Sequence, residues 1–373
     1  MRMSFFENFD GLVFVWISRT AAVTVASSSF IALSRSGAWW VRGHDFPRSQ
    51  MLGIETLLIL LFALHPQLNT GTDRVLMGLL LLAAILDVYR IFRYLPYSRL
   101  LPSKKHAPET DEQAVEFSMI SSNVLQDNTQ YEKILGQVST LSPDIFVALE
   151  TDGKWQKALS RVRETHPYYI EYPQDNTYGM LLYSKWKMIH HEIRFLFNDH
   201  IPSFFVTLQV NEKKINVVVV HPQPPRPQDG PSHLRDAELA KVAEYVQGNE
   251  ENWIVIGDLN DVAWSHTTRF FLELSGLIDP RQGRGLFSTF PVKYPFLRFP
   301  LDHIFYTDNF ELNTLRRLPD IGSDHFPIYA NITLLNRPRS NKGKTQPEHE
   351  EEKEKLKSKG RKEDRHEPPS NEN

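Results

Sequence analysis

The chain begins with three long apolar runs, and nothing later in the sequence is comparably hydrophobic. The runs cover residues 11–33, 51–65 and 75–92. The last of them, VLMGLLLLAAILDVYRIF, is about as long as a helix must be to cross a bilayer. Hydrophobic helices of a soluble subdomain would give a similar pattern, but the occurrence of three such runs close together in the sequence favours membrane helices. The pattern therefore predicts a membrane-anchoring region over residues 1–100 with about three spans.

Charged residues in and around these runs predict an orientation. Arg19 and Glu55 fall inside the first two runs, and Asp87 of the third can pair with Arg90 one turn later. Arginine and lysine concentrate in the segment between the first two runs and in the segment after the third. The positive-inside rule therefore predicts that both segments, and everything after residue 100, lie in the cytoplasm.

The pattern changes after a polar, proline-containing linker at residues 101–115. From 116 to 336, short β-branched and aromatic runs alternate with amphipathic stretches. The predicted strands are EFSMISSNV, DIFVALE, MLLYS, SFFVTLQV, INVVVVH, WIVIGDLN, LDHIFYT and FPIYANITL, and the predicted helices are 129–140, 152–164, 233–247 and 266–275. Hairpin and helical connections both occur, which predicts an α/β (α+β) domain of mixed sheets covered by helices.

The C-terminal segment, residues 337–373, is almost devoid of apolar residues and dense in both charges. Such a composition predicts a disordered tail. The run EHEEEKEKLKSKGRK has the charge spacing of a solvated helix, but it has no apolar face to bury.

Composition excludes several classes of function. The 373 residues carry a net charge of -3, so the protein has no global basic field of the kind that coats nucleic acid. A local basic groove is still compatible with that total. Because the chain contains no cysteine, disulfides, thiolate metal sites and a cysteine nucleophile are all excluded.

Polar residues recur where the most hydrophobic segments end. The stretch IVIGDLND finishes a buried strand with Asp258, Leu259 and Asn260. Similar positions beside other predicted strands hold Asn123, Glu150, His221, Asp302, His303, Ser323, Asp324 and His325. Each residue alone fits an ordinary turn, but burying so many polar groups without partners would be costly, so together they indicate one site. Side chains two apart on a strand share a side, which predicts that Asp258 and Asn260 enter a cleft and Leu259 the core.

The order Asn, Glu, His, Asp-x-Asn, Asp, Ser-Asp-His resembles the endonuclease/exonuclease/phosphatase superfamily. The elements GDLN and SDH, with DIFVALE ahead of them, carry this resemblance over residues 116–335. Members include pancreatic deoxyribonuclease, abasic-site endonucleases, neutral sphingomyelinases and inositol-polyphosphate phosphatases. The apolar runs, with WWVRGHDFPRSQ between the first two, look like the membrane-anchored bacterial branch. The resemblance implies a four-layer sandwich of two mixed β-sheets flanked by helices, and a location at the bacterial inner membrane.

The resemblance also implies a reaction and a set of residues for it. The hard oxygen ligands Asn123, Glu150 and Asp324 are expected to hold Mg²⁺ or Mn²⁺. The residues expected to be catalytic are His221, Asp258, Asn260, Asp302 and His325. In this scheme Asp258 and Asn260 position the attacking water and a phosphate oxygen. His325, oriented by Asp302, acts as base or holds the phosphate, and His221 matches the general acid of the deoxyribonuclease and sphingomyelinase branches.

Two further residues are predicted to bind the substrate phosphate. Arg235 offers a bidentate guanidinium, and Tyr183 offers a hydroxyl donor. Arg226 and Tyr178 are alternatives to them, and a solvated helix face or loop accounts equally well for both arginines.

The sequence thus predicts a membrane-tethered, Mg²⁺-dependent phosphohydrolase that cleaves a phosphodiester. Its expected partners are the lipid bilayer and a substrate that is either nucleic acid or a lipid or small-molecule phosphodiester, with no obligate protein partner. The catalytic region has no obvious basic and aromatic helix suited to gripping a duplex. The alternative is a catalytically silent membrane-associated module that binds a phosphorylated ligand or partner, although the intact set of acidic and imidazole residues argues against it.

Overall fold

The structure is a computed structural model that describes residues 2–96, 113–228, 230–248, 250–344 and 346–364. The chain divides into two compact units, Met1–Leu95 and Pro96–Asn373. Most of the linker predicted at 101–115, and the tail after residue 364, lie outside the described residues.

The first unit is helical. It contains α1 (Arg2–Ile31), the short α2 (Trp39–Gly43), α3 (Arg48–Leu64), α4 (Gly71–Ile91) and one 3-10 turn, Phe92–Tyr94. Small and apolar side chains pack α1, α3 and α4 together, among them Ala22, Ala26, Phe62, Leu80 and Ala83. At the start of α4, Thr70 and Asp73 form a capping box, which satisfies amide groups that the helix itself leaves without partners.

Two of the three apolar runs meet the length and hydropathy of a membrane span. These candidate spans are Gly11–Ile31 and Gly71–Tyr94. The middle run lies in α3, which has 17 residues and is thus shorter than the roughly 20 residues that a span needs. The structure therefore supports two of the three spans predicted from the sequence.

The second unit contains two mixed β-sheets. In spatial order, the first sheet consists of β10 (Phe310–Arg317), β11 (Ile328–Leu334), β1 (Val115–Asn123), β2 (Ile145–Leu149), β4 (Met180–Ser184) and β3 (Tyr168–Tyr172). The second consists of β5 (Lys187–Phe195), β6 (Pro202–Val210), β7 (Lys213–Val220), β8 (Asn252–Asp258) and β9 (Asp302–Tyr306). The pairs β1–β2 and β7–β8 are parallel, and the other neighbours are antiparallel.

Helices cover the outer faces of the two sheets, whose inner faces share one apolar core. Phe117 and Met119 of β1 belong to this core together with Val217 and Val219 of β7. The first sheet is covered by α5 (Tyr131–Leu141) and α6 (Gly153–Leu159), and the second by α7 (His233–Val246) and α8 (His266–Ser275). Strands buried on both faces explain the uninterrupted apolar runs of the sequence. The predicted four-layer sandwich is confirmed.

All eight predicted strands and all four predicted helices occur, but the sequence pattern misses three strands. These are β3, β5 and β10, and each lies at an edge of its sheet. The residues of β5, KMIHHEIRF, are mostly exposed or half-buried. An edge strand that buries little of its surface carries no hydrophobic run, so periodicity does not reveal it.

The predicted disorder of the tail is wrong for most of its described part. A helix, α9 (Pro347–Asp364), follows the last strand and packs on α7. Its only leucine, Leu356, joins the apolar cluster formed by α7, α8 and the second sheet. Lys357 is buried to 5% exposure, and its ammonium group pairs with Glu244 of α7 at 3.2 Å. The aliphatic stems of lysines thus supply the contact that the count of apolar residues does not show.

A glycine allows α9 to approach α7 closely. A Cβ atom added to Gly360 would lie 2.4 Å from Cβ of Ala237 and 3.2 Å from a ring carbon of Phe197. Any side chain at this position would push the helix away from its support.

Replacing Gly360 with leucine should detach α9. Overpacking typically costs about 1–3 kcal/mol, so amide exchange in 347–364 should accelerate about tenfold or more in the full-length chain, as measured by hydrogen exchange and mass spectrometry. The matched control is Gly136→Leu on α5, where a Cβ meets nothing within 4 Å. Equal protection of α9 in both variants would show that the close approach at Gly360 is unimportant.

Glu238 makes the stability of the second unit depend on pH. Its buried carboxyl accepts a hydrogen bond from Ser203 Oγ at 2.8 Å, and burial raises the pKa of Glu238 from 4.5 to about 7. Between these two values the folded chain holds a proton that the unfolded chain has lost, so the free energy of unfolding falls as pH rises from about 4.5 to 7 and then levels off.

Glu238→Gln should abolish the decrease in the free energy of unfolding between about pH 4.5 and 7. The variant should match the wild type at pH 4 and exceed it at pH 8, by at most ~3 kcal/mol. Urea unfolding of the detergent-solubilised full chain, followed through protease resistance of the second unit, measures the difference. Glu212→Gln, in the exposed β6–β7 turn, makes the same charge change and should keep the wild-type profile. A Glu238→Gln profile that declines like the wild type would contradict this assignment.

Candidate active site

The first sheet delivers one half of a polar cluster. In the parallel pair of β1 and β2, Asn123 is level with Leu149, so Asn123 and Glu150 leave the sheet side by side. The hydroxyl of Ser323 donates to the backbone oxygen of Asn123 at 2.8 Å. That bond fixes the Ser-Asp-His segment, residues 323–325, against the same edge, just before β11 begins.

The second sheet delivers the other half. In the parallel pair of β7 and β8, Val220 is level with Gly257, so that His221 and Asp258 emerge together. The antiparallel strand β9 begins at the same edge, because its first residue, Asp302, is opposite Asp258. Carboxyl ends of parallel strands form the usual ligand-binding edge of such sheets.

The amide of Asn123 joins the two halves. Its Nδ2 donates to Oε1 of Glu150 at 2.7 Å and to Oδ2 of Asp258 at 3.2 Å. Asn123 and Asp258 are each only 1% exposed, so these are bonds within a nearly dry environment. The metal-ligand candidates of the first sheet and the catalytic candidates of the second therefore form one continuous site.

His325 and Asp302 form the Asp–His pair expected from the sequence. Nδ1 of His325 donates to Oδ2 of Asp302 at 2.8 Å, and Nε2 lies 3.6 Å from Oδ2 of Asp258. Burial alone would lower the pKa of His325, but the carboxylates of Asp302 and Asp258 outweigh it and raise that pKa to about 10. The ring of Phe290 packs against the imidazole with centroids 4.8 Å apart. This imidazole is thus fixed in place and favours its cationic form.

The second imidazole, His221, has the opposite character. Its Nε2 lies 3.8 Å from Oδ2 of Asp258 and 3.9 Å from Oε1 of Glu150. Burial lowers the pKa of His221 to about 4, against the opposing effect of the Asp258 carboxylate. The site therefore contains one imidazole that favours a proton and one that resists it, and the Nε2 atoms of both lie within 4 Å of the same oxygen of Asp258.

The GDLN loop owes its shape to backbone geometry. At Gly257 a Cβ would lie 1.9 Å from a carbonyl oxygen of β7, which only glycine tolerates. Asn260 adopts a positive φ of 50°, its N–H donates to Oδ1 of Asp258 at 2.9 Å, and its Nδ2 donates to the oxygen of Pro222 at 3.0 Å. Leu259 is fully buried beneath α7 and α8, as the alternation predicts.

The residues around Glu150 fit a divalent cation. Burial raises the pKa of Glu150 to about 7, the Asn123 amide opposes this, and the carboxylates of Asp324 and Asp258 add to it. Acidic oxygens thus crowd together here in a partly dry place, and a cation would relieve their mutual repulsion. Carboxylate and amide oxygens without thiolates are the donor set that Mg²⁺ and Mn²⁺ prefer.

A second arrangement of possible ligands overlaps this one. Ligand atoms of Asp258, Asp302 and His325 all lie within 4.8 Å of one another. In it, however, Nδ1 of His325 and Oδ2 of Asp302 are already bonded to each other, and a cation would have to compete with that bond. The group around Glu150 also contains an internal bond, from Nδ2 of Asn123 to Oε1 of Glu150, so the two arrangements are alternative sites for a cation.

Arg235 does not face the site, and its predicted contact with the substrate is wrong. Its guanidinium is fully buried beneath the loop. Nη1 donates to the backbone oxygen of Asn260 at 2.7 Å, while Nε and Nη2 donate to Oδ1 of Asp236. The residue lies in the first turn of α7, which runs behind the GDLN loop, so it supports Asn260 from the protein interior.

Tyr183 does not face the site either, so its predicted contact with the substrate phosphate is also wrong. Its ring belongs to the cluster between the first sheet and its helices, and its hydroxyl donates to Oε1 of Glu171 at 2.8 Å. The alternative, Tyr178, lies before β4 and places its ring 5.4 Å from that of His221. Tyr178 is therefore the tyrosine of the pair that reaches the site.

The sequence gives little or no indication of two further residues near the site, Arg226 and Phe290. Arg226 is exposed on the segment after β7, and its charge acts on His221. The sequence offers it only as one of several arginines. Phe290, which packs on His325, belongs to no motif, and only the folded loop reveals it.

Comparisons with known proteins place this geometry in a family. The profile of the Endonuclease/Exonuclease/phosphatase family matches residues 118–325. TDP2 from D. rerio, solved in complex with a single strand DNA product, is 17% identical over 58% of this chain and 98% of that chain, with a TM-score of 0.50. An endonuclease/exonuclease/phosphatase family protein from Bacteroides thetaiotaomicron is 16% identical over 60% of this chain and 99% of that chain, also with a TM-score of 0.50. No curated protein sequence matches the chain significantly.

At these identities the solved structures show the shared fold alone. The family profile, by contrast, covers more than half of the 373 residues. It includes every polar strand end from Asn123 to His325. The chain therefore belongs to the endonuclease/exonuclease/phosphatase family, whose members are typically phosphodiester hydrolases.

Proposed function

We propose that the protein is a membrane-tethered, metal-dependent hydrolase that cleaves a phosphodiester. One observation carries the proposal: the amide of Asn123 joins Glu150 to Asp258 at the edge where Asp302 and His325 also pair. Carboxylates and imidazoles that far apart in sequence have no structural need to meet in a buried cluster, whereas the hydrolysis of a phosphate ester needs both.

In this proposal Asn123, Glu150 and Asp324 hold Mg²⁺ or Mn²⁺. When bound, such an ion offsets the charge that develops on a phosphoryl oxygen. The amide of Asn123 holds the Glu150 carboxylate in a fixed orientation, and the bond from Ser323 to β1 holds the segment that carries Asp324.

The remaining side chains divide the proton transfers among them. In the hydrolysis, the oxygen of a water molecule forms a bond to phosphorus, the ester P–O bond breaks, and the departing oxygen takes up a proton. Asp258, fixed by the N–H of Asn260, orients the water and receives its proton. His221, whose Nε2 lies 3.8 Å from Asp258, takes that proton from Asp258 and passes it to the departing oxygen, so both side chains return to their starting state. His325, held by Asp302, donates from Nε2 to a phosphate oxygen.

Tyr178 and Arg226 take the roles first assigned to Tyr183 and Arg235. Tyr178 packs beside His221, and the charge of Arg226 acts on the same imidazole. A hydroxyl and a guanidinium in these positions suit a phosphate group bound over His221.

The apolar helices at the N-terminus supply the tether. Two of them have the length and hydropathy of a membrane span. We infer that the middle run, in α3, crosses the membrane as well. Three spans put both basic segments on one side, whereas two spans would separate them. By the positive-inside rule that side, and with it the catalytic unit, is the cytoplasmic side of a bacterial inner membrane.

The loop between α8 and β9 provides a surface for the rest of the substrate. The N–H of Val292, within this loop, donates to the backbone oxygen of Asp324 at 2.9 Å, so the loop contacts the segment that carries a proposed metal ligand. At its tip, Tyr294, Phe296 and Leu297 are 53%, 88% and 51% exposed. Exposed rings and an aliphatic side chain suit contact with lipid or with unpaired bases, whereas a small soluble phosphodiester would not reach them.

Substituting the proposed catalytic residues tests the function directly. In the full-length chain, His325→Ala and Asp258→Asn should each lower hydrolysis of bis-p-nitrophenyl phosphate by about 100-fold or more, because each removes a proton-transfer or charge-stabilising group. Chelation of Mg²⁺ and Mn²⁺ should abolish the wild-type rate. His191→Ala, on the exposed side of β5, is the matched control and should retain it.

The outcomes separate the competing functions. Activity that survives both catalytic substitutions would show that the chemistry occurs elsewhere. A wild type that hydrolyses neither this ester nor plasmid DNA, RNA or sphingomyelin, with either metal, would favour the silent module that binds a phosphorylated ligand.

The exposed loop should separate large from small substrates. Phe296→Ser should lower hydrolysis of the natural class of substrate about tenfold, whether that class is nucleic acid or vesicle-borne phospholipid, and should leave bis-p-nitrophenyl phosphate unchanged. Parallel assays on plasmid DNA, RNA and phosphatidylcholine vesicles identify the class that responds. The control is Ile189→Ser, which replaces another exposed apolar side chain, near the start of β5. A uniform loss on all substrates would assign Phe296 a structural role instead.

A further inference from the structure

The N-terminal unit buries more charge than an anchor requires. Arg48, Glu55 and Asp87 are all fully buried, and Asp45 is 2% exposed. Two of the four, Asp45 and Arg48, belong to the segment WWVRGHDFPRSQ. This segment has no role in the proposed hydrolysis. Ionisable groups in a membrane-embedded bundle are costly and mark functional sites.

Ser29 of α1 lies between two of these carboxyls. Its hydroxyl oxygen is 2.8 Å from Oε1 of Glu55 on α3 and 3.0 Å from Oδ2 of Asp87 on α4. The second oxygen of Asp87, Oδ1, accepts from Nη1 of Arg48 at 2.5 Å. A single hydroxyl thus connects three helices.

The hydrogens available for these contacts do not suffice if both carboxyls are ionised. A serine hydroxyl has one hydrogen, and an ionised carboxylate only accepts. One of the two O–O contacts would then bring lone pairs together in a buried place. A second hydrogen satisfies both contacts, and Glu55 is the residue to carry it, because Asp87 is already the anionic partner of Arg48.

Buried atoms without partners point in the same direction. Among the described residues, Oε2 of Glu55 and Nε of Arg48 have no hydrogen-bond partner. Ion pairs within the cluster join Asp45 to Arg42, Arg48 and Arg90, and Asp87 to Arg48. An ionised Glu55 would leave a charged oxygen desolvated, whereas the neutral acid leaves only a carbonyl oxygen, at much lower cost.

We propose that Glu55, Ser29 and Asp87 form a proton-binding site, at which Glu55 takes up and releases one proton. With the proton in place, Glu55 donates to Ser29 and Ser29 donates to Asp87, which links α3, α1 and α4. Without it, two carboxylates share one hydroxyl and repel each other in a low dielectric, so packing between these helices weakens. The charged groups that surround the site are Arg42 and Asp45 before α3, Arg48 on α3, and Asp87 and Arg90 on α4.

Infrared spectroscopy tests the proton directly. The full-length chain in phosphatidylcholine vesicles at neutral pH should show the carbonyl band of a protonated carboxylic acid. That band should lose amplitude in Glu55→Gln, whose amide donates to Ser29 as the acid does. Asp73→Asn is the matched control within the same unit, because Asp73 is paired with Arg19 at 2.8 Å, and it should leave the band unchanged. An unchanged band in Glu55→Gln would overturn the proposal.

Amide exchange tests the coupling to helix packing. As pH rises and the band disappears, the protection factors of α1 and α4, which are corrected for the intrinsic pH dependence of exchange, should fall about tenfold in the wild type and stay constant in Glu55→Gln. Exchange that follows the same pH profile in both proteins would also overturn the proposal. Neither result depends on the catalytic unit, so a failed hydrolase assay leaves this test intact.

Discussion

The hydrogen bonds of one amide, that of Asn123, hold the two sheets together where their apolar core ends. Its Nδ2 donates to Glu150 on one sheet and to Asp258 on the other. The strands behind these residues are buried on both faces, so their polar ends need partners within the protein, and they find them in each other and in nearby backbone N–H groups. The fold thus concentrates carboxylates and imidazoles at one edge. Burial there shifts the pKa values of Glu150 and His221, and the neighbouring carboxylates raise the pKa of His325.

The sequence predicts which polar side chains meet at this edge where the residue immediately follows or precedes a doubly buried strand. Asn123, Glu150, His221 and Asp258 are all of this kind, because the end of a hydrophobic run fixes both the element and its edge. Arg235 and Tyr183 are not, since their roles depend on which face of a helix or strand they occupy. The sequence shows that an arginine or a tyrosine occupies such a position. Only tertiary packing decides whether that side chain faces the cleft or the protein interior.

Both ends of the chain show how counting apolar residues misleads in opposite directions. The tail contains a single leucine in α9, yet it docks through lysine stems and a glycine that admits the backbone of α7. The N-terminal runs are rich in apolar residues, yet Ser29, Glu55 and Asp87 form a buried polar network among them. In each case the contact that decides the structure involves only a few atoms. Hydrophobicity averaged over a sequence window does not reveal such a contact.

The position of β1 has a consequence for biosynthesis. This strand begins the second unit, but it lies in the middle of its sheet, between β2 and β11, which is the last strand among the described residues. The bond from Ser323 to Asn123 likewise spans 200 residues of sequence. A nascent chain therefore keeps an open sheet and an incomplete cluster until nearly all of the unit has been translated. A chain that ends before β11 therefore lacks a strand that pairs with β1 as well as the Ser323–Asn123 bond that completes the cluster.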